Sequence, residues 1–181
     1  MSDPRQGIAA APQNFDETRP MNLTFTPVRQ IPPPVAAVTT VLRDVARDGL
    51  SNTPRSTGCG VNLLTVDGRR ITSAATDPVA ERLNALYDSY RENPCTTAWL
   101  NDQVVAADLS RSQPSLWATC ALELGVRSIM ATALRTPDRL LGTVLVYSTD
   151  SDAYRDDDQD VLLMFARTAA LRIDTCMLGA S

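Results

Sequence analysis

The chain has 181 residues, 44% of them hydrophobic and 21% charged, with a formal net charge of −4, which fits one domain with a real core plus an extension. It contains no histidine, and all 17 basic residues are arginine. This removes the commonest general base, the usual haem and zinc ligand, the phosphate-loop lysine and any Schiff-base lysine, while the acidic balance argues against nucleic-acid binding, which wants a basic stripe.

Residues 1–31 carry prolines spaced through polar residues without a helical or strand period. Such a segment cannot bury enough surface to offset its ordering entropy, so an unstructured proline-rich arm is expected, with 32–178 as the domain and 179–181 as a tail. The arm could also dock in a partner's groove as an extended strand. The start "MSDPRQGIAAAPQ" lacks the continuous apolar stretch of a signal peptide. No apolar run approaches the roughly 18 residues that span a bilayer, so the expected location is the cytoplasm and no membrane is expected as a partner.

The segment "PPPVAAVTTVLRDVARDGL" predicts a helix with proline at its entry and Gly49 near its exit, its apolar face formed by Val35, Val38, Val41, Leu42 and Val45. "GVNLLTV", a "DG" turn and "RRITSAAT" predict a hairpin. "DPVAERLNALYDSYRE" predicts a helix capped by Asp77 with Pro78 in its first turn and Val79, Leu83, Leu86 and Tyr90 as its stripe. Next, "ENPCTTAW" sets Cys95 at a helix start. There the helix dipole favours a thiolate nucleophile, yet a small apolar filler fits equally well.

"QVVAADL" reads as a short strand and "PSLWATCALELGV" as a helix ending near Gly125. "RSIMATALRT", a "PD" turn and "LLGTVLVYST" predict a second hairpin of core strands. A last helix begins at the "DDD" cluster, where acidic side chains complement the dipole, and buries Leu162, Phe165, Ala169 and Ile173. The acidic run "TDSDAYRDDDQD" reads as solvated loop and helix start rather than a metal site. The order α-β-β-α-(α)-β-α-β-β-α implies an α+β domain with a mostly antiparallel sheet, the first and last helices covering one face.

From about residue 35 to 176 the sequence resembles a GAF domain, in particular the GAF modules that precede RNA-binding ANTAR domains in actinobacteria. The motifs are "GCGVNLLTVDGRRITSAATDP", "ENPCTTAW", "VVAADL" with "LELGVRSIMATALR", and "LLGTVLVYSTDSDAYRDDDQDVLLMFARTAALRI". The all-arginine basicity also hints at a GC-rich bacterial genome. The resemblance implies a GAF-like antiparallel sheet of about six strands, fewer being evident in the residue pattern. Its N- and C-terminal helices would lie on one face, in a homodimer interface near 35–48 and 160–176, and a small-molecule pocket on the other. Ser181 leaves no length for an ANTAR domain, so signalling is expected to use a separate output protein.

The same resemblance implies what the pocket would hold. Free methionine-(R)-sulfoxide reductases form one enzymatic GAF branch; Cys95 matches one of their thiol positions and Cys120 falls close to another, but the position near Ala85 holds no cysteine. Leu145, Tyr147 and Ile129 stand where that branch places carboxylates for the substrate's amino group. A bilin or haem would ordinarily call for a histidine, and cyclic-nucleotide binding for a lysine. The expected protein is therefore a non-catalytic sensor with no cofactor and an unknown small-molecule ligand. The alternative is a thiol-based redox sensor or degenerate reductase, with Cys95 and Cys120 closing a disulfide. Candidate pocket residues are Cys95, Trp99, Trp117, Cys120, Arg127 and Tyr147. Trp117 fits core as well as ligand platform, and Arg127 fits an anionic ligand as well as an exposed salt bridge. Met130 is read as core.

Overall fold

The computed structural model of the chain describes residues 35–179; the arm expected over 1–31 lies outside them. Ten elements follow in the expected order: α1 (Val35–Asn52), β1 (Gly58–Leu64), β2 (Arg70–Ala75), α2 (Pro78–Ser89), α3 (Pro94–Asn101), β3 (Val105–Asp108), α4 (Leu116–Glu123), β4 (Ser128–Arg135), β5 (Leu140–Ser148) and α5 (Asp156–Gly179). The strands form one antiparallel sheet in the order β2-β1-β5-β4-β3. Five strands stand among the described residues where the resemblance implied about six, and they are the five marked by the residue pattern.

The alternation of each strand splits the interior into two apolar layers. Cys59, Val61 and Leu63 of β1, Met130 and Leu134 of β4, and Val144 and Val146 of β5 pack under α1 and α5, against Val38, Leu42, Val45, Leu162, Ala169 and Ile173. Met130 is thus core, as expected. Val41 and Phe165 pack partly buried at the margin of this layer, and the side chain of Val35 lies outside the described ones. On the other face, Ile129 and Ala131 of β4 and Leu145 and Tyr147 of β5 pack under α2, α3 and α4.

Gly49 lies near the exit of α1, as expected, and the helix continues to Asn52. A Cβ there would fall 2.9 Å from the Cys59 sulfur and 3.1 Å from the Phe165 ring. The glycine therefore marks where α1 passes closest to β1 and α5. Asp77 caps α2 as expected, its carboxylate accepting the amides of Val79 and Ala80 at 2.9 and 3.0 Å. Gly125, at φ +85°, takes the left-handed conformation just past α4. In the acidic run the reading as solvated residues fails at Asp158. That residue is buried, pairs with Arg55, and accepts the Arg155 amide at the start of α5. Among the described residues no helix is long and apolar enough to cross a membrane.

Candidate functional site

The face under α2, α3 and α4 is built around a run of residues on β1 that point away from α1 and α5. Gly58, Gly60 and Asn62 alternate along that strand, and the two glycines let α2 approach the sheet. A Cβ on Gly58 would overlap Asp77 Oδ2 and the Tyr147 ring, and one on Gly60 would fall 2.5 Å from Asn84 Oδ1. Glycine in a strand interior often marks such a close approach. The space over Gly58 and Gly60 is thus filled from α2 by Asn84 and from the N-cap by Asp77.

Asn84 is buried and bridges two strands. Its Nδ2 donates to the Ala74 carbonyl at 2.9 Å, and its Oδ1 accepts from Asn62 Nδ2 at 3.2 Å. Asn62 sits directly across the β1–β5 ladder from Thr143. Both are buried to about 1% or less of their surface, and neither Asn62 Oδ1 nor Thr143 Oγ1 has a hydrogen-bond partner among the described residues. An unpaired buried polar atom costs about 1–3 kcal/mol. A third orphan, Thr53 Oγ1, lies in the loop beyond α1.

Cys95 projects from the start of α3 toward this pair. Burial pushes its thiol up to about 12, against an opposing pull from the neighbouring Thr143 hydroxyl. The Thr143–Cys95 contact lacks hydrogen-bond geometry, so it does not satisfy the hydroxyl. The helix start does not activate this thiol, because desolvation outweighs the dipole. Cys95 has the environment of a buried apolar residue.

Tyr147 is 3% exposed, and its hydroxyl donates to Asp77 Oδ1 at 2.8 Å. Burial pushes the Asp77 carboxyl up. Hydrogen bonds from the Thr76 and Tyr147 hydroxyls and the Val79 and Ala80 amides outweigh it and hold the group below its ordinary value. The Tyr147 hydroxyl is raised, by burial first and then by Asp77.

Of the six candidate residues, Cys95, Trp117 and Tyr147 share one apolar cluster. Trp99 is buried elsewhere, against Gly68 of the β1–β2 turn. Cys120 lies half-buried with its sulfur 3.5 Å from the Tyr90 hydroxyl. Arg127 is exposed ahead of β4, held through its backbone by Ser148 and Leu109. All four cysteines are free thiols. Among the described residues no group of three or more His, Cys, Asp or Glu could hold a metal ion.

Sequence reasoning missed Asn62, Asn84 and Thr143. The signal for Asn62 was present, as a polar residue inside the apolar strand "GVNLL", flanked on its own face by Gly60. Thr143 gave none, because threonine is an ordinary strand residue.

No curated protein matches the sequence. Solved structures match over most of their length. One is the blue-light-absorbing form of the PixJ GAF domain of Thermosynechococcus elongatus, at 13% identity and a TM-score of 0.54, covering 78% of this chain and 87% of that one. A GAF domain/HD domain protein from Geobacter sulfurreducens matches at 16% identity and a TM-score of 0.53, covering 78% and 94%. The type II free methionine-R-sulfoxide reductase of Thermoplasma acidophilum matches at 12% identity and a TM-score of 0.54, covering 76% and 93%. At these identities the likeness carries the fold alone. The GAF domain family profile matches residues 35–174, and the chain belongs to the GAF domain family.

Proposed function

We propose that this GAF domain is a non-catalytic sensory module that takes a small neutral polar molecule beneath α2 and α3 and passes the signal through a homodimer built on α1 and α5. The observation that carries the ligand reading is the cross-strand pair Asn62 and Thr143, whose side-chain oxygens are buried without partners. Buried polar groups are nearly always satisfied, so an orphan pair side by side supports an absent polar occupant. Asn62 Oδ1 asks for an N–H or O–H donor, and the Thr143 hydroxyl can donate or accept. Asp77, the carboxylate beside this face, is already taken by the Thr76 and Tyr147 hydroxyls and the Val79 and Ala80 amides, which favours a neutral ligand over a cation.

A redox or reductase role finds less support. Cys95 is buried with its thiol pushed up to about 12, so almost none is thiolate at neutral pH. Ile129, Leu145 and Tyr147 are packed into the apolar layer, where carboxylates would be needed to hold an ammonium group.

Native mass spectrometry of freshly purified, reduced protein tests the reading. A dimer carrying a reproducible extra mass, lost in Thr143→Val, supports it. A species without any adduct in protein taken directly from cells contradicts the ligand half, and a monomer contradicts the dimer half.

A further inference from the structure

β4 runs past the end of the strand beside it. In an antiparallel ladder, alternate residues turn both backbone groups to the same neighbour. The Leu109 amide donates to the Arg127 carbonyl at 2.7 Å, so Arg127, Ile129 and Ala131 face β3. Ala133, next in the alternation, faces the same side. β3 pairs no further than Val105 with Ala131, and no backbone hydrogen bond reaches Ala133 from that side among the described residues. Ala133 is nonetheless only 5% exposed. Buried backbone groups are nearly always paired, so this short length of edge is an open docking position.

The edge lies in a cleft of about 400 Å³, the size of a small-molecule site rather than of a groove for a long segment. Leu163, Arg167 and Leu171, each four residues after the last, bring one flank of α5 to the cleft. Thr136 and Pro137 line it where β4 turns toward β5. Phe165, Thr168 and Arg172 lie instead beside α1, so the cleft is separate from the face that α5 shares with that helix.

Two arginines and one carboxylate line this space. Arg135 Nε is held at 2.8 Å by Asp102, so these two charges cancel. Arg167 has no hydrogen-bond or ion-pair partner among the described residues, which leaves the cleft positive. Leu171, 53% exposed, and half-buried Leu163 stand one helical turn to either side of it.

We infer that this cleft captures the C-terminus of another polypeptide chain. A residue near that chain's end adds one backbone rung to Ala133, the terminal carboxylate pairs with Arg167, and an apolar last side chain packs on Leu163 and Leu171. A chain end supplies an amide, a carboxylate and an apolar group within one or two residues. A continuing strand would run into the turn at Pro137, which has no N–H to offer it.

The full chain, fluorescently labelled, is tested on an array of octapeptides varied at their last three positions. Each peptide is made as the free acid, as the C-terminal amide, and with the penultimate amide N-methylated. Free acids ending in Leu, Ile, Val or Phe are expected to retain the protein, and their amides to bind about tenfold more weakly. Arg167→Gln is expected to bring each free acid down to the level of its amide. Leu171→Asp, at an exposed site, is expected to weaken the free acids by setting carboxylate against carboxylate, with folding of both variants checked by circular dichroism. With the best peptide bound, hydrogen exchange at the Ala133 amide is expected to slow, and the N-methylated copy to lose both binding and protection. Amides that bind as well as acids, free acids indifferent to Arg167→Gln, or an Ala133 amide unchanged by a bound peptide each overturn the proposal. So does an array on which no free acid retains the protein.

Discussion

Asn62 and Thr143 face each other across the β1–β5 ladder, both buried, and each keeps a side-chain oxygen that nothing in the described chain satisfies. Proteins tolerate such a cost where a function needs the groups, and the free protein carries it here without return.

Replacing the Thr143 hydroxyl by a methyl group therefore separates stability from binding. Thr143→Val keeps the shape and removes one orphan, so the ligand-free protein is expected to gain about 1 kcal/mol in a urea unfolding curve. The same variant is expected to lose any co-purifying small molecule. A variant less stable than the parent would mean that the hydroxyl is already satisfied.

Gly60 and Asn84 form a matched pair, because a Cβ on Gly60 would enter the Asn84 amide. Gly60→Ala is expected to cost about 1–3 kcal/mol. In an Asn84→Ala background the same substitution should cost appreciably less, since the obstructing group is gone, and the non-additivity of the double-mutant cycle measures the contact. Additive effects would show that the strain lies elsewhere.

The pH response should carry the mark of Asp77. Its carboxyl sits below its ordinary value in the folded chain despite burial. The folded state therefore binds the proton less readily than the unfolded state, whose carboxyl titrates near 3.9. The stabilisation is fully present above that value and is lost as pH falls through the folded value. Asp77→Asn is expected to flatten the acid limb of stability against pH, measured by urea midpoints, and Tyr147→Phe to flatten it partly. An unchanged acid limb in Asp77→Asn would refute this assignment.

The thiols should divide by burial. Cys120 and Cys176 are half-exposed and are expected to react first with an alkylating reagent, while Cys59 and Cys95 are buried. Burial raises both inner thiols, Cys59 the more strongly. These two should label only at the rate of global unfolding, and mild peroxide should leave Cys95 reduced. A loss of two hydrogens mapped to Cys95 and Cys120 would revive the redox-sensor reading.

The fold was legible because every element carries its own period or cap. Asp77 and Pro78 announce α2, and the apolar runs of β1, β4 and β5 announce the sheet. Gly49 lies near the helix exit as read, but the reason for it, the approach of Cys59 and Phe165, has no signature in the sequence. The site was less legible. Cys95, Trp117 and Tyr147 drew attention by type, but what surrounds them depends on cross-strand register, which pairs Asn62 with Thr143 and has no local signature. Trp99 serves the hairpin turn, a long-range contact that its helix does not announce.

The most direct measurement is a high-resolution crystal structure of the full chain purified without ligand exchange, examined between Asn62 and Thr143. The expected result is density larger than a water molecule, donating to Asn62 Oδ1 and bonded to Thr143 Oγ1. A single buried water satisfying both oxygens, or the two side chains rotated to satisfy each other, would contradict the account of this face as a small-molecule site.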